Sequence, residues 1–329
     1  MTVDDPTLAA ADHRHAVTGS GKPACLLVDW GSTRLRLWLV DDRLAVLDRE
    51  SGPQGQASLT PQDYEPLLTG YLDRHGLSYD LPIAICGMAG ALAGWREAPY
   101  LDCPATLMTL ADHAIPVSDR LPRCAILPGV ARRDDTHPDA MRGEETQCLG
   151  AHVGGVGDGW LCLPGTHSKW VRLQDGMVQH FSTYMTGDLY AALCRHGALA
   201  GLMAPDGADH DLMAAHLAEF DAMVATALAD EGGSWDRLFA LRAAVVTGQR
   251  DGAATAARLS GLLIGAEIAH IRRSLDGVVS IIGDPSLAAL YARGCDSAGI
   301  NHTILDAEAV TIAGLGSAAR RLADIPTGT

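Results

Sequence analysis

From residue 25 the chain alternates short apolar blocks with polar turns, the spacing of β-strands. Cys25–Trp30 reads as a buried strand. Residues 34–40 alternate, which puts Arg34 and Arg36 on one face and Leu35 and Leu37 on the other. Asp41 and Asp42 turn the chain into a third strand over 44–50. Helical spacing follows over 61–76 and stops at Gly76, a residue suited to a left-handed C-cap. Apolar blocks at 82–90 and 124–130 predict two more strands, and 142–155 predicts a short helix.

The same order then returns. Strand 160–163 meets a Gly-Thr-His-Ser turn, strand 169–173 follows, and Asp175-Gly176 turns into a third strand over 177–181. Thr186 stands where it can cap a helix over 186–197. Strands at 278–283 and 302–306 complete this copy, after an insertion of Ala- and Leu-rich helices at about 205–275. A meander, a helix, then further strands and helices, written twice, predict an α/β protein with a largely parallel sheet in each half. The expected domains are 23–153 and 154–329, facing each other across a cleft with a glycine turn from each half pointing in. A flexible tail is expected at 1–22, and a final helix, 308–324, packs back near the hinge.

The chain has 329 residues, 47% hydrophobic and 20% charged, which suits a globular protein long enough for two domains. A net charge of −15 argues against non-specific nucleic-acid binding and requires a locally basic pocket for any anionic substrate. The sequence holds no apolar stretch of membrane-spanning length, which argues against a membrane partner. Eight cysteines without a C-x-x-C pair read as reduced thiols of a cytoplasmic protein, not as a disulfide or zinc framework. Residues 1–22 lack the basic start and apolar core of a signal peptide. GSGK at 19–22 is no Walker A loop, because Pro23 stands at the Ser/Thr position and no strand precedes it. A homodimer is the assembly expected from base rates alone.

The two glycine turns carry the candidate chemistry. Gly31, Ser32 and Thr33 offer backbone N–H groups and hydroxyls in one concavity, which suits an anion. Asp29, at the strand end, suits Mg²⁺ held through water. The second turn repeats this with Gly165, Thr166 and Ser168, with His167 as a further donor and Lys169 as a point charge. Either turn alone is weak evidence, since such a segment is more often just a turn. Two at equivalent places in a duplicated fold suit one polyphosphate held from both sides.

The segments VDWGSTRLRLWLV, GMAGALAGWREAPYL, MRGEETQ, PGTHSKWV, MTGDLY and SGLLIGAEIA, in this order over about residues 25–320, resemble the 2-dehydro-3-deoxygalactonokinase family. That family belongs to the wider actin, Hsp70 and sugar kinase superfamily. The resemblance implies a duplicated actin-like (ribonuclease H-like) ATPase fold with ATP and Mg²⁺ in the cleft. It implies transfer of the γ-phosphate to the 6-hydroxyl of the sugar acid 2-dehydro-3-deoxy-D-galactonate, in galactonate catabolism. The rivals are a kinase of the gluconate epimer or another sugar acid and, from a different class, a phosphatase or a non-catalytic nucleotide sensor with the same clamps.

Phosphoryl transfer needs phosphate clamps, a metal, and a carboxylate that orients or deprotonates the acceptor. Gly143-Glu144 matches by position the Gly-Asp pair that opens the corresponding helix in related sugar kinases, which implies Glu144 as base with Glu145 as the alternative. Both acids also suit a helix N-terminus without any catalytic role. A carboxylate substrate calls for a cation, and Arg34, Arg36, Arg96 and Arg142 lie in or beside the motifs. Met88, Gly90 and Trp95, with Arg96, read as a sugar-acid pocket, while Gly283 and Ser286 match the superfamily's adenosine motif. Gly314 and Gly316 allow the last helix to cross closely against the helix at 143–152.

Overall fold

The computed structural model describes residues 21–202, 215–230 and 235–324. The expected tail, apart from Gly21 and Lys22, and parts of the expected insertion lie outside the described residues.

In the first half, β1 (Cys25–Trp30), β2 (Leu35–Val40) and β3 (Val46–Gly52) form the meander, followed by α1 (Tyr64–Arg74) and β4 (Ile83–Gly87). Short strands follow: β5 (Tyr100–Asp102), β6 (Ala105–Thr106), β7 (Ile115–Pro116), β8 (Cys124–Ile126), β9 (Gly129–Arg132) and β10 (Asp139–Met141). Helix α2 (Glu144–Val153) closes the half. The second half runs β11 (Gly159–Leu163), β12 (Ser168–Gln174), β13 (Met177–Tyr184) and α3 (Thr186–Arg195). Helices α4 (Leu217–Ala229), α5 (Trp235–Val246) and α6 (Gly252–Ile271) come next, then β14 (Val279–Gly283), α7 (Pro285–Ser297), β15 (His302–Asp306) and α8 (Ala307–Asp324).

The repetition read in the sequence is a repetition of topology. One sheet runs β3-β2-β1-β4-β8-β7 and the other β13-β12-β11-β14-β15, with β6 added beyond β13. In each, the central strand pairs antiparallel with the second and parallel with the fourth. The loops at 31–34 and 164–167 therefore leave equivalent corners of the two sheets. This is the duplicated actin-like architecture. Apolar β1 is covered on both faces: Leu26, Val28 and Trp30 pack with Tyr64, Leu68 and Tyr71, while Leu27 lies with Leu315 and Ala318 of α8.

Several elements differ from the expectation. Ala105–Thr106 pairs with β13, so the second sheet takes a strand from before the expected boundary at 153/154. The block 124–130 divides into β8 and β9 at Pro128, which has no N–H to donate to a ladder. The block 82–90 ends as a strand at Gly87, whose φ of 85° turns the chain into the Met88–Gly90 turn. Arg34 precedes β2 and belongs to the turn, where its carbonyl accepts the Gly31 N–H at 2.8 Å. Thr186 is the first residue inside α3, not its cap; Met185 holds that position and makes no side-chain cap bond.

Helix α8 crosses back from the second half and packs against α2 through glycines. A Cβ at Gly150 would lie 1.8 Å from the Val310 carbonyl oxygen, and one at Gly314 would lie 2.0 Å from that of Thr146. Gly316, expected to join this crossing, instead faces the Leu44 side chain of the first half, where a Cβ would lie 2.4 Å from a leucine methyl carbon. Gly150→Ala forces backbone, not a flexible side chain, to move. We expect it to lower stability by about 3 kcal/mol, read as a lower midpoint in urea unfolding.

Candidate active site

A cavity of about 1230 Å³ lies between the halves. Of the residues singled out in the sequence, it brings together Asp29, Gly31, Ser32, Arg36, Met88, Arg142 and Glu144 from the first half. From the second half it takes Gly165, Thr166, His167, Lys169 and Gly283.

The first turn is braced from behind. The Gly31 and Ser32 carbonyls accept the N–H groups of Gln56 and Ala57 at 3.0 and 2.9 Å. Asp29, next to last in β1, stands opposite Arg36 in the ladder, and the Arg36 guanidinium lies 2.9 Å from its carboxylate. Burial raises the Asp29 pKa, and Arg36 opposes that shift. Among the described residues no group of three His, Cys, Asp or Glu side chains converges for a metal. A largely buried carboxylate beside the first glycine turn nevertheless fits Mg²⁺, which takes one or two carboxylates and completes its shell with phosphate oxygens and water.

The second turn is open where a ligand would enter: a Cβ at Gly165 would meet nothing within 4 Å. Lys169, the second residue of β12, lines the cavity, donates to the His167 carbonyl at 3.1 Å, and forms an ion pair with Glu144 at 2.8 Å. This pair joins the two halves across the cleft. Ser168, read as part of the turn, is fully buried and donates to Glu267 instead, so it offers nothing to the cavity.

Gly143 sets the start of α2. Its φ of 109° is open to glycine, and a Cβ there would come within 3.4 Å of Gly87 Cα. The two acids after it part ways. Glu144 faces the cavity and accepts the Arg142 N–H at 3.0 Å. Glu145 is 0% exposed and accepts the Gly143 N–H at 2.9 and 2.8 Å, so it closes the helix end. Burial, with the Glu144 charge adding, pushes its pKa from 4.5 to about 8. The folded chain then binds more protons than the unfolded one between pH 4.5 and about 8, so Glu145 makes stability fall as pH rises through that window. We expect Glu145→Gln to flatten that fall in a pH series of thermal melts while leaving turnover nearly intact.

On the acceptor side, Arg142 lies over the Tyr100 ring at 4.1 Å and donates to the Tyr100 hydroxyl at 3.2 Å and the Ala98 carbonyl at 2.7 Å. Its Nη1 is buried and makes no hydrogen bond. Gly90 does not line the cavity; its missing Cβ leaves room for that Nη1, which would otherwise lie 2.7 Å away. The other acceptor-side candidates are directed elsewhere. Trp95 stacks on Tyr64 at 5.8 Å, and the Arg96 guanidinium donates to the Pro116 carbonyl at 2.8 Å. Arg34 and Thr33 sit exposed in the turn outside the cavity lining. Ser286 also stays outside; its N–H donates at 3.0 Å to Asp284, which caps α7 and itself lines the cavity.

The cavity adds residues that the sequence reading passed over. Arg49 pairs with Glu308 at 2.7 Å on its wall, and Ile304 to Ala307 line the side next to Gly283. Alternation along β3 gives the face of Arg49, but only the return of α8 makes that face a wall of the cleft.

Comparison with known proteins shows the family. Residues 29–318 match the family model described as 2-keto-3-deoxy-galactonokinase. A Rhizobium meliloti (strain 1021) protein named "Probable 2-dehydro-3-deoxygalactonokinase DgoK1" is 41% identical over 300 residues, 90% of this chain and 96% of that protein. The 2-dehydro-3-deoxygalactonokinase of Escherichia coli (strain K12) is 30% identical over 301 residues, 91% of this chain and 98% of that protein. The crystal structure of a Sinorhizobium meliloti protein assigned to the same activity superposes with a TM-score of 0.83 at 38% identity, covering 92% of this chain and 98% of that one.

Proposed function

The chain belongs to the 2-keto-3-deoxy-galactonokinase family, and from that premise we propose that it transfers the γ-phosphoryl group of ATP to the 6-hydroxyl of 2-dehydro-3-deoxy-D-galactonate. It is a phosphotransferase with an alcohol acceptor, acting on 2-keto-3-deoxygalactonate in galactonate catabolism. The observation that carries the finer reading is the Glu144–Lys169 ion pair, which spans a cavity flanked by the two equivalent glycine turns.

In this reading the ATP phosphates lie between Gly31-Ser32 and Gly165–His167. Mg²⁺ held by Asp29 and water would neutralise the phosphate oxygens. Lys169 serves two partners in turn. Without nucleotide it pairs with Glu144; an arriving polyphosphate competes for its charge and frees Glu144 to take the proton of the 6-hydroxyl. Base and phosphate clamp are thereby coupled. Arg142, a cation on the cavity wall, is the residue we assign to the substrate carboxylate. Closure of the halves excludes water, which otherwise competes with the sugar hydroxyl for the phosphoryl group.

Among the described residues no helix is long and apolar enough to cross a membrane. We place the reaction in the cytoplasm, in keeping with eight cysteines that are all free thiols, and take a homodimer as the working assembly.

The test is ADP release in a coupled assay with Mg·ATP and each of 2-keto-3-deoxygalactonate, its gluconate epimer, galactonate and glycerol. Strong turnover with the first alone is expected. Turnover with a different acceptor only would keep the kinase and replace the substrate. ATP binding without turnover on any acceptor would favour a nucleotide sensor.

A further inference from the structure

Helix α6 is buried along most of its length and built largely from Ala, Leu, Ile and Gly, yet it carries a carboxylate into the core. Glu267 is 3% exposed. An ionised group there is costly unless every lone pair is used. Four side chains use them. One oxygen accepts from Ser168 Oγ at 2.7 Å and Trp170 Nε1 at 2.6 Å. The other accepts from the Tyr291 hydroxyl at 2.8 Å and from the Thr186 hydroxyl.

The donors have a common location. Ser168 and Trp170 flank Lys169 on β12, so anchoring both on one face turns Lys169 to the opposite face, toward the cleft. Thr186 opens α3, whose first turn sits directly on the second glycine turn. The Asp188 N–H donates to the Thr166 carbonyl at 2.9 Å, and a Cβ at Gly187 would lie 2.5 Å from the Gly165 carbonyl oxygen. One carboxylate thus ties together the strand that follows the turn and the helix that lies against it. A Leu at this position would satisfy the apolar helix and release both.

We propose that Glu267 is a positioning residue for nucleotide binding, fixing the Gly165–Lys169 turn in the shape that receives the ATP phosphates; this rests on reading that turn as a phosphate clamp. Gln at 267 retains much of the arrangement. Its carbonyl takes the Trp170 N–H, which can only donate, and its amide faces the Thr186 and Tyr291 hydroxyls, which can accept. Ala retains none of it.

The experiment compares Glu267→Ala, Glu267→Gln and Lys169→Met in the full chain, reading ADP affinity by calorimetry and KM for ATP and for the sugar acid. Glu267→Ala is expected to weaken ADP binding and raise KM for ATP by about tenfold, the scale on which supporting groups act. KM for the sugar acid should stay within about twofold, and Glu267→Gln should recover most of the loss. Equal changes in both KM values, or a lower melting temperature with ADP affinity untouched, would overturn the proposal. Lys169→Met separates the two layers. If it weakens ADP binding and Glu267→Ala does not, the clamp stands and the role of Glu267 falls; if neither does, the clamp reading itself falls. Should Glu267→Ala fail to fold, Thr186→Val and Ser168→Ala each remove a single tie, and both must still weaken ADP binding severalfold.

Discussion

Glu144→Gln is expected to lower kcat by about 10²–10⁴-fold, the usual contribution of a positioned acid–base group. The nucleotide side sharpens this prediction. Gln is nearly the shape of Glu, so the start of α2 and the bond from the Arg142 N–H are kept. What is lost is the charge that holds Lys169 at 2.8 Å across the cleft. A lysine released from that pair is free for phosphate, so KM for ATP should stay level or fall while kcat collapses. That split separates a base from a residue that merely shapes the pocket, whose loss would raise KM. Steady-state kinetics at saturating sugar acid measure both. A variant that keeps more than about a tenth of wild-type kcat would remove Glu144 from the role. Glu145 is a poor substitute, since it is fully buried and bonded to the Gly143 N–H.

Asp29→Asn gives the second large effect. Asp29 lies beside the first glycine turn with Arg36 next to it, and burial holds its pKa above the ordinary carboxylate value. A carboxylate kept there by one arginine gains further from a divalent cation brought in with the nucleotide. Asn keeps the size and removes the charge. The Mg²⁺ concentration for half-maximal turnover should rise about 10–100-fold, as for other groups that hold a metal through its shell, and added Mg²⁺ should restore part of the rate. A Mg²⁺ titration of turnover reads this directly. An unchanged midpoint with lower kcat would leave Asp29 as the partner of Arg36 and nothing more.

The duplicated architecture was legible because buried strands are short apolar blocks, and blocks repeated in one order imply sheets repeated in one order. The glycine turns were legible for a related reason: they interrupt a hairpin where a tighter turn would suffice. Side-chain direction was harder. Arg96 sits among glycines beside Trp95, yet its guanidinium closes on the Pro116 carbonyl, a contact set by how the loop folds on itself. Ser168 could have been placed correctly. It shares a strand face with Trp170 and alternates with Lys169, so a cleft-facing Lys169 requires a core-facing Ser168. The acid inside SGLLIGAEIA was a visible anomaly in an apolar helix, but its partners lie as far as 99 residues away in the chain. Arg49 and Glu308 meet only because α8 returns to the first half, which no local pattern announces.

The most direct measurement is a crystal structure of the chain with a non-hydrolysable ATP analogue, Mg²⁺ and 2-keto-3-deoxygalactonate. The expected result has the terminal phosphate between Gly31-Ser32 and Gly165–His167, Lys169 moved from Glu144 onto a phosphate oxygen, and the 6-hydroxyl within hydrogen-bond distance of Glu144. A terminal phosphate away from both turns, or a 6-hydroxyl facing another carboxylate while Lys169 stays on Glu144, would contradict the assignment.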